Sequence, residues 1–114
     1  MSGWGRLNEV MKKLGSGFHD FVVHDLFSDM PEVHSRRMFG GWGIYQEKKF
    51  FGIISEGKLY FKTSDFTRGR YIERGMKPFA PSVKQVLKNY YEVPEEVLEN
   101  REELVVFARE AAQQ

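Results

Sequence analysis

The sequence contains no cysteine, which excludes disulfide bonds and thiolate metal ligands as sources of stability. Proline is scarce, with 4 in 114 residues, and the longest apolar stretches, such as residues 50–54, are only strand-sized. We therefore expect no membrane span and no secretory leader, and we expect a cytoplasmic protein. A chain of this length fits one domain, and its ten Phe, five Tyr and two Trp supply a core that needs no cross-link.

Charge is unevenly distributed along the chain, although the net charge is only +1. Residues 1–35 carry 3 basic and 5 acidic side chains, residues 36–88 carry 12 and 4, and residues 89–114 carry 2 and 7. We favour the interpretation that the basic middle and the acidic C-terminal segment attract each other within the fold. The alternative is a basic face that binds an anionic partner.

The N-terminal third predicts one secure helix. Residues 1–15 have helically spaced apolar positions that stop at a Gly-Ser-Gly stretch, so we expect an N-terminal extension that is helical or merely appended. Phe18, Phe21, Val22 and Leu26 share one helical face and predict a helix over about residues 17–29, with Ser16 as its N-cap. We take residues 16–114 as the domain.

The middle of the chain has the pattern of successive short strands. Residues 38–39, 42–45, 50–55 and 58–62 are rich in aromatic and β-branched residues and are separated by turn formers, Gly40-Gly41 and Glu56-Gly57 among them. Strand alternation places Leu59 and Phe61 on one face of the sheet, with Tyr60 and Lys62 on the other.

The C-terminal part predicts a second helix, capped by Ser64 and closed by Gly75, followed by a segment that Pro78 and Pro81 interrupt. Residues 90–93 predict a strand, Pro94 a helical turn, and Asn100 with Glu103 the capped start of a final helix. The fold class is therefore α+β: a two-layer sandwich with an antiparallel sheet of about five strands and helices on one side, in the order α-β(3–4)-α-β(1–2)-α.

No catalytic or metal-binding pattern emerges. Gly40 and Gly41 precede the strand formers of residues 42–45, which include Gly43, whereas a phosphate loop precedes a helix, so a hairpin role is favoured over nucleotide binding. His19 and His24 lie five residues apart, which separates them on a helix. Ser35 beside His34 forms no dyad, because neighbouring strand residues point to opposite faces. We expect no enzyme activity, cofactor or metal.

The basic residues leave two functions open. A cationic sheet that also carries Tyr45 and Tyr60 is compatible with DNA or RNA binding, but it is also what any half-buried sheet shows. We expect a protein partner as the leading alternative and direct nucleic-acid binding, through the sheet and the second helix, as the other. The candidate partner-binding residues are Arg36, Arg37, Arg68 and Arg70.

Several separated motifs give this chain a resemblance to a known family. Residues 35–45, SRRMFGGWGIY, look like the S-R-x-M-F-G-G-x-G-[IL]-Y motif of the TfoX/Sxy N-terminal domain. Residues 57–62 resemble its G-x-L-Y-x-[KR] strand, residues 75–79 its G-x-x-P-F turn, and residues 90–98 its Y-Y-x-[VLI]-P-x-x-x-L segment. The motif residues to which we assign a structural role are Met38, Phe39, Gly40, Gly41, Gly43 and Tyr45.

The resemblance implies regulation rather than catalysis. Full-length members of this family regulate natural competence alongside a cAMP-dependent transcription activator, and they are not known as enzymes. The chain differs from them in stopping after the N-terminal domain and in its extension over residues 1–15. We therefore expect a stand-alone docking module, and we expect its exposed edge strand to favour homodimer formation.

Overall fold

The described part of the structure begins with a helix and continues into a sheet. The computed structural model describes residues 16–38 and 40–114, so the predicted extension over residues 1–15 lies outside the described residues. The helices are α1 (Ser16–Asp29), α2 (Arg68–Glu73), α3 (Glu95–Leu98) and α4 (Arg101–Ala112). The strands are β1 (Val33–Met38), β2 (Gly41–Gln46), β3 (Lys49–Ser55), β4 (Lys58–Lys62), β5 (Pro78–Ser82) and β6 (Gln85–Glu92).

The described strands form one antiparallel sheet in the order β1-β2-β3-β4-β6-β5. Together with the helices this confirms the α+β class. The sheet has six strands where about five were expected. The additional strand is β5, which contains Pro78 and Pro81 and lies at the sheet edge, where a missing backbone N–H need not disrupt a ladder.

The first strand starts earlier than the sequence predicted. Hydrophobic pattern placed it at residues 38–39, whereas β1 begins at Val33, and Phe39 lies outside the described residues. Polar residues fill positions 34–37, so no apolar alternation marks the strand. Because the side chains of this edge strand are largely exposed, its sequence lacks the alternation of apolar residues by which a half-buried strand is predicted.

One hydrophobic core joins the four described helices to a single face of the sheet. Leu59 and Phe61 are fully buried in it, while Tyr60 and Lys62 are only half-buried, as the alternation predicted. Its fully or almost fully buried members include Phe18, Val22, Leu26, Ile44, Phe51, Tyr71, Val93, Val97, Leu104, Phe107, Ala108 and Ala111. We call the opposite side of the sheet the free face.

Turns and caps follow the local chemistry. Glu56 (φ 52°) and Gly57 (φ 74°) are both left-handed, which is typical of the two-residue hairpin turn predicted between β3 and β4. Asn100 Oδ1 accepts a hydrogen bond from the Glu103 N–H at 3.1 Å and caps α4 as predicted.

The predicted cap of the second helix is displaced. The helix begins at Arg68, after Thr67, and Ser64 instead forms a turn before it. Its Oγ accepts from the N–H groups of Phe66 at 3.2 Å and Thr67 at 3.3 Å. Among the described helices, none is long and apolar enough to cross a membrane.

Candidate functional site

The β1 edge, which we define as Val33–Met38, is one of the two outer strands of the described sheet, in which its one partner is β2. Within the described residues, the backbone of β1 makes no hydrogen bond to any element other than β2. A strand in this position presents a row of backbone donors and acceptors that another extended chain can pair with. The β1 edge therefore has the backbone arrangement that strand addition requires.

Two of the predicted partner-binding residues lie side by side on this edge but face opposite ways. Arg36 pairs with Gly43, and its guanidinium lies 5.9 Å from the centre of the Tyr45 ring on the free face. Arg37 pairs with Trp42, and its guanidinium lies 4.9 Å from the Trp42 ring, which packs against the core. Both side chains are exposed. Neither forms a salt bridge with a carboxylate of a described residue.

The third predicted residue, Arg68, is committed to the fold. Its guanidinium donates to Thr63 Oγ1 at 3.1 Å, to Asp65 Oδ1 at 3.1 Å and to Asn89 Oδ1 at 3.0 Å. The bond to Asn89 ties the start of α2 to strand β6. With three of its five N–H donors used inside the fold, this guanidinium has less capacity for an outside ligand than an unpaired one.

The fourth, Arg70, is also engaged within the chain. It forms an ion pair and hydrogen bond with Glu110 of α4, and its guanidinium lies 4.7 Å from the centre of the Phe107 ring. This pair is one instance of the attraction between the basic middle and the acidic C-terminal segment that the charge distribution predicted. Arg74 adds contacts at 3.6 Å to Glu96 and at 4.0 Å to Glu103. The structure thus brings Arg36 and Arg37 together and places Arg68 and Arg70 in separate internal contacts.

The glycine-rich motif shapes the hairpin between β1 and β2. Gly40 has φ 72°, a conformation that favours glycine. A β-carbon on Gly43 would lie 2.6 Å from Met38 Sδ and 3.1 Å from Phe50, so Gly43 makes room for the Met38 side chain. Tyr45, the last motif residue, stacks on His34 with ring centres 5.3 Å apart.

The free face carries a continuous group of aromatic side chains that the sequence analysis only partly identified. The Phe50 ring contacts Tyr45 at 5.2 Å and Tyr90 at 5.1 Å, and further along the sheet Tyr60 contacts Phe79 at 4.8 Å. Phe50 was missed because a bulge near Ile44 and Tyr45 shifts the register between β2 and β3 and reverses the facing that simple alternation assigns.

Burial alters the chemistry of two tyrosines on this face. Burial, with a smaller contribution from neighbouring Tyr45, raises the pKa of Tyr90 to about 12, and the Tyr90 hydroxyl donates to the Phe50 carbonyl oxygen at 3.2 Å. Burial also raises the pKa of Tyr60, assisted by the charges of Glu92 and Glu56. Both phenols therefore stay neutral across the physiological range and present hydroxyl groups rather than negative charge.

A hydrogen-bonded Ser-His-Asp chain occurs at a place where the sequence predicted none. His19 of α1 is hydrogen-bonded through Nε2 to Ser35 Oγ at 2.8 Å, and its Nδ1 lies 3.0 Å from Asp20 Oδ1. The Asp20 side chain is 71 % exposed, whereas the carboxylate that orients a catalytic histidine is buried. His19 also stacks on Trp42 at 3.9 Å. We interpret this chain as a tie that holds α1 to the β1 edge.

The other histidines are on the surface, and no metal cluster is found in the described ranges. His24 and His34 are exposed, whereas His19 is largely buried against Trp42. Across residues 16–38 and 40–114, no three histidine, aspartate or glutamate side chains converge as metal ligands do.

Comparison with known proteins matches most of the chain to one family. The family model described as the TfoX N-terminal domain matches residues 25–114. A curated relative, the DNA transformation protein TfoX1 of Aliivibrio fischeri (strain ATCC 700601 / ES114), is 26 % identical over 97 residues, which cover 83 % of this chain. The match covers 46 % of that protein, so the chain spans about half the length of the relative.

Proposed function

The chain belongs to the TfoX N-terminal domain family, and we propose that it is a non-enzymatic regulatory module of DNA transformation that acts through contact with a protein partner. The observation that carries the proposal is the contrast among the arginines. Arg68 and Arg70 bond to acidic or polar side chains of the fold, whereas among residues 16–38 and 40–114 the contacts of the Arg36 and Arg37 guanidiniums are with aromatic rings. The β1 edge thus has two charges that remain for a partner.

The chemistry of the edge indicates what kind of partner fits. An extended segment can add to β1 through backbone hydrogen bonds, and carboxylates on such a segment would neutralise Arg36 and Arg37 on the two faces. The Tyr45 and Trp42 rings lie within cation–π distance of the two guanidiniums, at 5.9 Å and 4.9 Å. We propose an acidic, extended segment of a cytoplasmic regulatory protein.

A second copy of the chain is a less suitable occupant of the same edge. Antiparallel self-pairing centred on Arg36 and Arg37 would bring guanidiniums opposite one another, and like charges directly across two strands are destabilising. We therefore propose that a homodimer does not form through the β1 edge.

The experiment is complementation of a deletion strain of the source organism. Arg36→Glu with Arg37→Glu should reduce transformation frequency at least about tenfold, because reversed charge repels an acidic partner. Lys48→Glu with Lys49→Glu is the matched control, since these exposed residues lie at the β2–β3 turn. Equal frequencies in the two variants, at equal protein levels, would disprove the role of the β1 edge.

The non-enzymatic part of the proposal has its own test at Ser35. A fluorophosphonate probe reacts covalently with an activated serine, so intact-mass measurement after incubation should show no adduct. An adduct that disappears in Ser35→Ala and in His19→Ala would instead identify the Ser-His-Asp chain as catalytic.

A second candidate function, direct nucleic-acid binding, is favoured by a separate observation. The free face combines aromatic rings with Arg36 and Lys62, and the carboxylate of Glu92 at its margin lies 4.0 Å from Lys58. Nucleic-acid surfaces combine cations with aromatic rings in this way. Titration of a labelled oligonucleotide at low and high salt tests it, since phosphate binding weakens steeply as salt rises.

A further inference from the structure

The β5–β6 hairpin extends beyond the sheet to which it belongs. β6 spans Gln85–Glu92, but its pairing with β4 covers only Tyr90–Glu92, and Asn89 adds one bond from its carbonyl oxygen to the Thr63 N–H. Among the described strands, the preceding residues of β6 therefore have β5 as their one neighbour. We call residues 80–88 the arm.

The outer part of the arm is exposed, whereas Leu87 near its base is half-buried. Every residue from position 80 to 86 is exposed, and Val83, at the tip between the paired residues Ser82 and Gln85, has its whole side chain in solvent. The base is buried: Phe79 is 3 % exposed and contacts Tyr60. A two-residue turn and a buried base make a short, well-anchored ribbon.

The arm and its flanking residues carry only positive charge. No aspartate or glutamate occurs between Arg74 and Tyr91, while Lys77, Lys84 and Lys88 lie in that stretch. Lys84 and Lys88 are exposed, and neither forms a salt bridge with a described residue. Elsewhere in the chain, Arg68, Arg70, Arg74 and Arg101 each pair with a carboxylate. The lysines of the arm are thus available for an anion.

We propose that the arm binds the phosphate backbone of double-stranded DNA, an inference that rests on the second candidate function above. A two-stranded ribbon has the width that the major groove admits. The arm has no aromatic residue at positions 80–88, so it cannot stack on the bases of a single strand in the way that single-strand binders do. Phosphate contacts from Lys84 and Lys88 fit the arm, and the exposed Val83 at its tip supplies apolar contact with the groove.

The base of the arm explains why Arg68 is committed to the fold. Asn89 receives a hydrogen bond from Arg68 on its side chain and two more, from the Thr63 N–H and Thr63 Oγ1, on its carbonyl oxygen. These bonds fix the point at which the ribbon leaves the sheet. A fixed exit lowers the entropy lost when the arm docks.

The test measures binding of the full chain to a labelled 20-base-pair duplex by fluorescence anisotropy between about 50 and 200 mM salt. Lys84→Ala with Lys88→Ala should lower the slope of log K against log salt by about 2, roughly one per lost phosphate contact. Lys48→Ala with Lys49→Ala, which removes the same charge at another hairpin, should leave the slope nearly unchanged. Lys84→Arg with Lys88→Arg should retain the slope of the unmodified chain, because the charges are kept. Circular dichroism should show that all variants are folded.

The outcomes separate the inference from the function on which it rests. If the unmodified chain shows no salt-sensitive binding, the second candidate function and the arm proposal both fail. If the chain binds but the arm and control variants have equal slopes, only the arm proposal fails. Tighter binding to a single strand, or loss of a protein contact without any change in DNA binding, would also overturn it.

Discussion

The guanidinium of Arg37 lies 4.9 Å from the centre of the Trp42 ring, and no described carboxylate pairs with it. An exposed contact of this kind contributes about 0.5–1 kcal/mol. Replacing Arg37 by Ala should therefore cost no more than about 1 kcal/mol of unfolding free energy, and the same holds for Arg36→Ala.

Arg68→Ala should cost more than either of these substitutions. It leaves Asn89 Oδ1 and Thr63 Oγ1 without their charged donor, and the loss of such bonds costs about 1–3 kcal/mol. Urea denaturation of the three single variants measures the difference. Equal losses of unfolding free energy in the three variants would show that Arg68 is no more important to the fold than Arg36 and Arg37.

Gly41 should be the most sensitive glycine of the motif. A β-carbon there would overlap the carbonyl oxygen of Ile54 on β3, so Gly41→Ala must force strands β2 and β3 apart, at a cost of roughly 3 kcal/mol. Gly69 of α2 has open space around it, and Gly69→Ala should stabilise the protein by about 0.5–1 kcal/mol. Thermal unfolding of both variants tests whether Gly41→Ala lowers the melting temperature and Gly69→Ala raises it. An equal fall in melting temperature in the two variants would refute this prediction.

Alkaline stability should depend on the buried tyrosines. Burial raises the pKa of Tyr90 to about 12, above the value of about 10 for an unfolded tyrosine, so its contribution is complete below pH 10 and is lost as pH rises from about 10 to 12. Burial raises the pKa of Tyr71 as well.

The variant that tests this pH dependence is Tyr90→Phe. It removes one ionising group and one hydrogen bond, to the Phe50 carbonyl, so it should be about 1 kcal/mol less stable at pH 7. Its stability should then fall less steeply above pH 10 than that of the unmodified chain. Urea titrations at pH 7, 9, 10 and 11 give both quantities, and parallel curves would contradict the assignment.

The sequence correctly predicted those elements whose formation depends on residues that are close together in the chain. The faces of α1 and of β4, the turn at Gly57 and the cap at Asn100 all depend on near neighbours, and each was confirmed. The features that the sequence did not predict depend on residues that are far apart in the chain. β1 has no apolar face because it lies at an edge, and the bulge opposite Ile44 decides the side on which Phe50 lies.

The candidate site shows the same division between local and long-range information. Sequence identified the four arginines as cations of the basic segment, but it had no means of knowing that Asn89 and Glu110 would engage Arg68 and Arg70. Those partners lie 21 and 40 residues away along the chain. The Ser35 contact with His19 was missed for the same reason, because it spans 16 residues.

Strand addition at the β1 edge is tested most directly by NMR titration of the ¹⁵N-labelled chain with a synthetic peptide. The peptide Thr-Val-Glu-Glu-Val-Thr has extended propensity and two adjacent carboxylates that face opposite ways, and its Gln-Gln analogue is the neutral control. The Glu-Glu peptide should shift the amide signals of residues 33–38 and slow the exchange of their outward N–H groups, and it should do neither in the Arg36→Glu, Arg37→Glu variant. Shifts of equal size with both peptides, or shifts that lie outside β1 and its neighbour β2, would contradict the proposed docking edge.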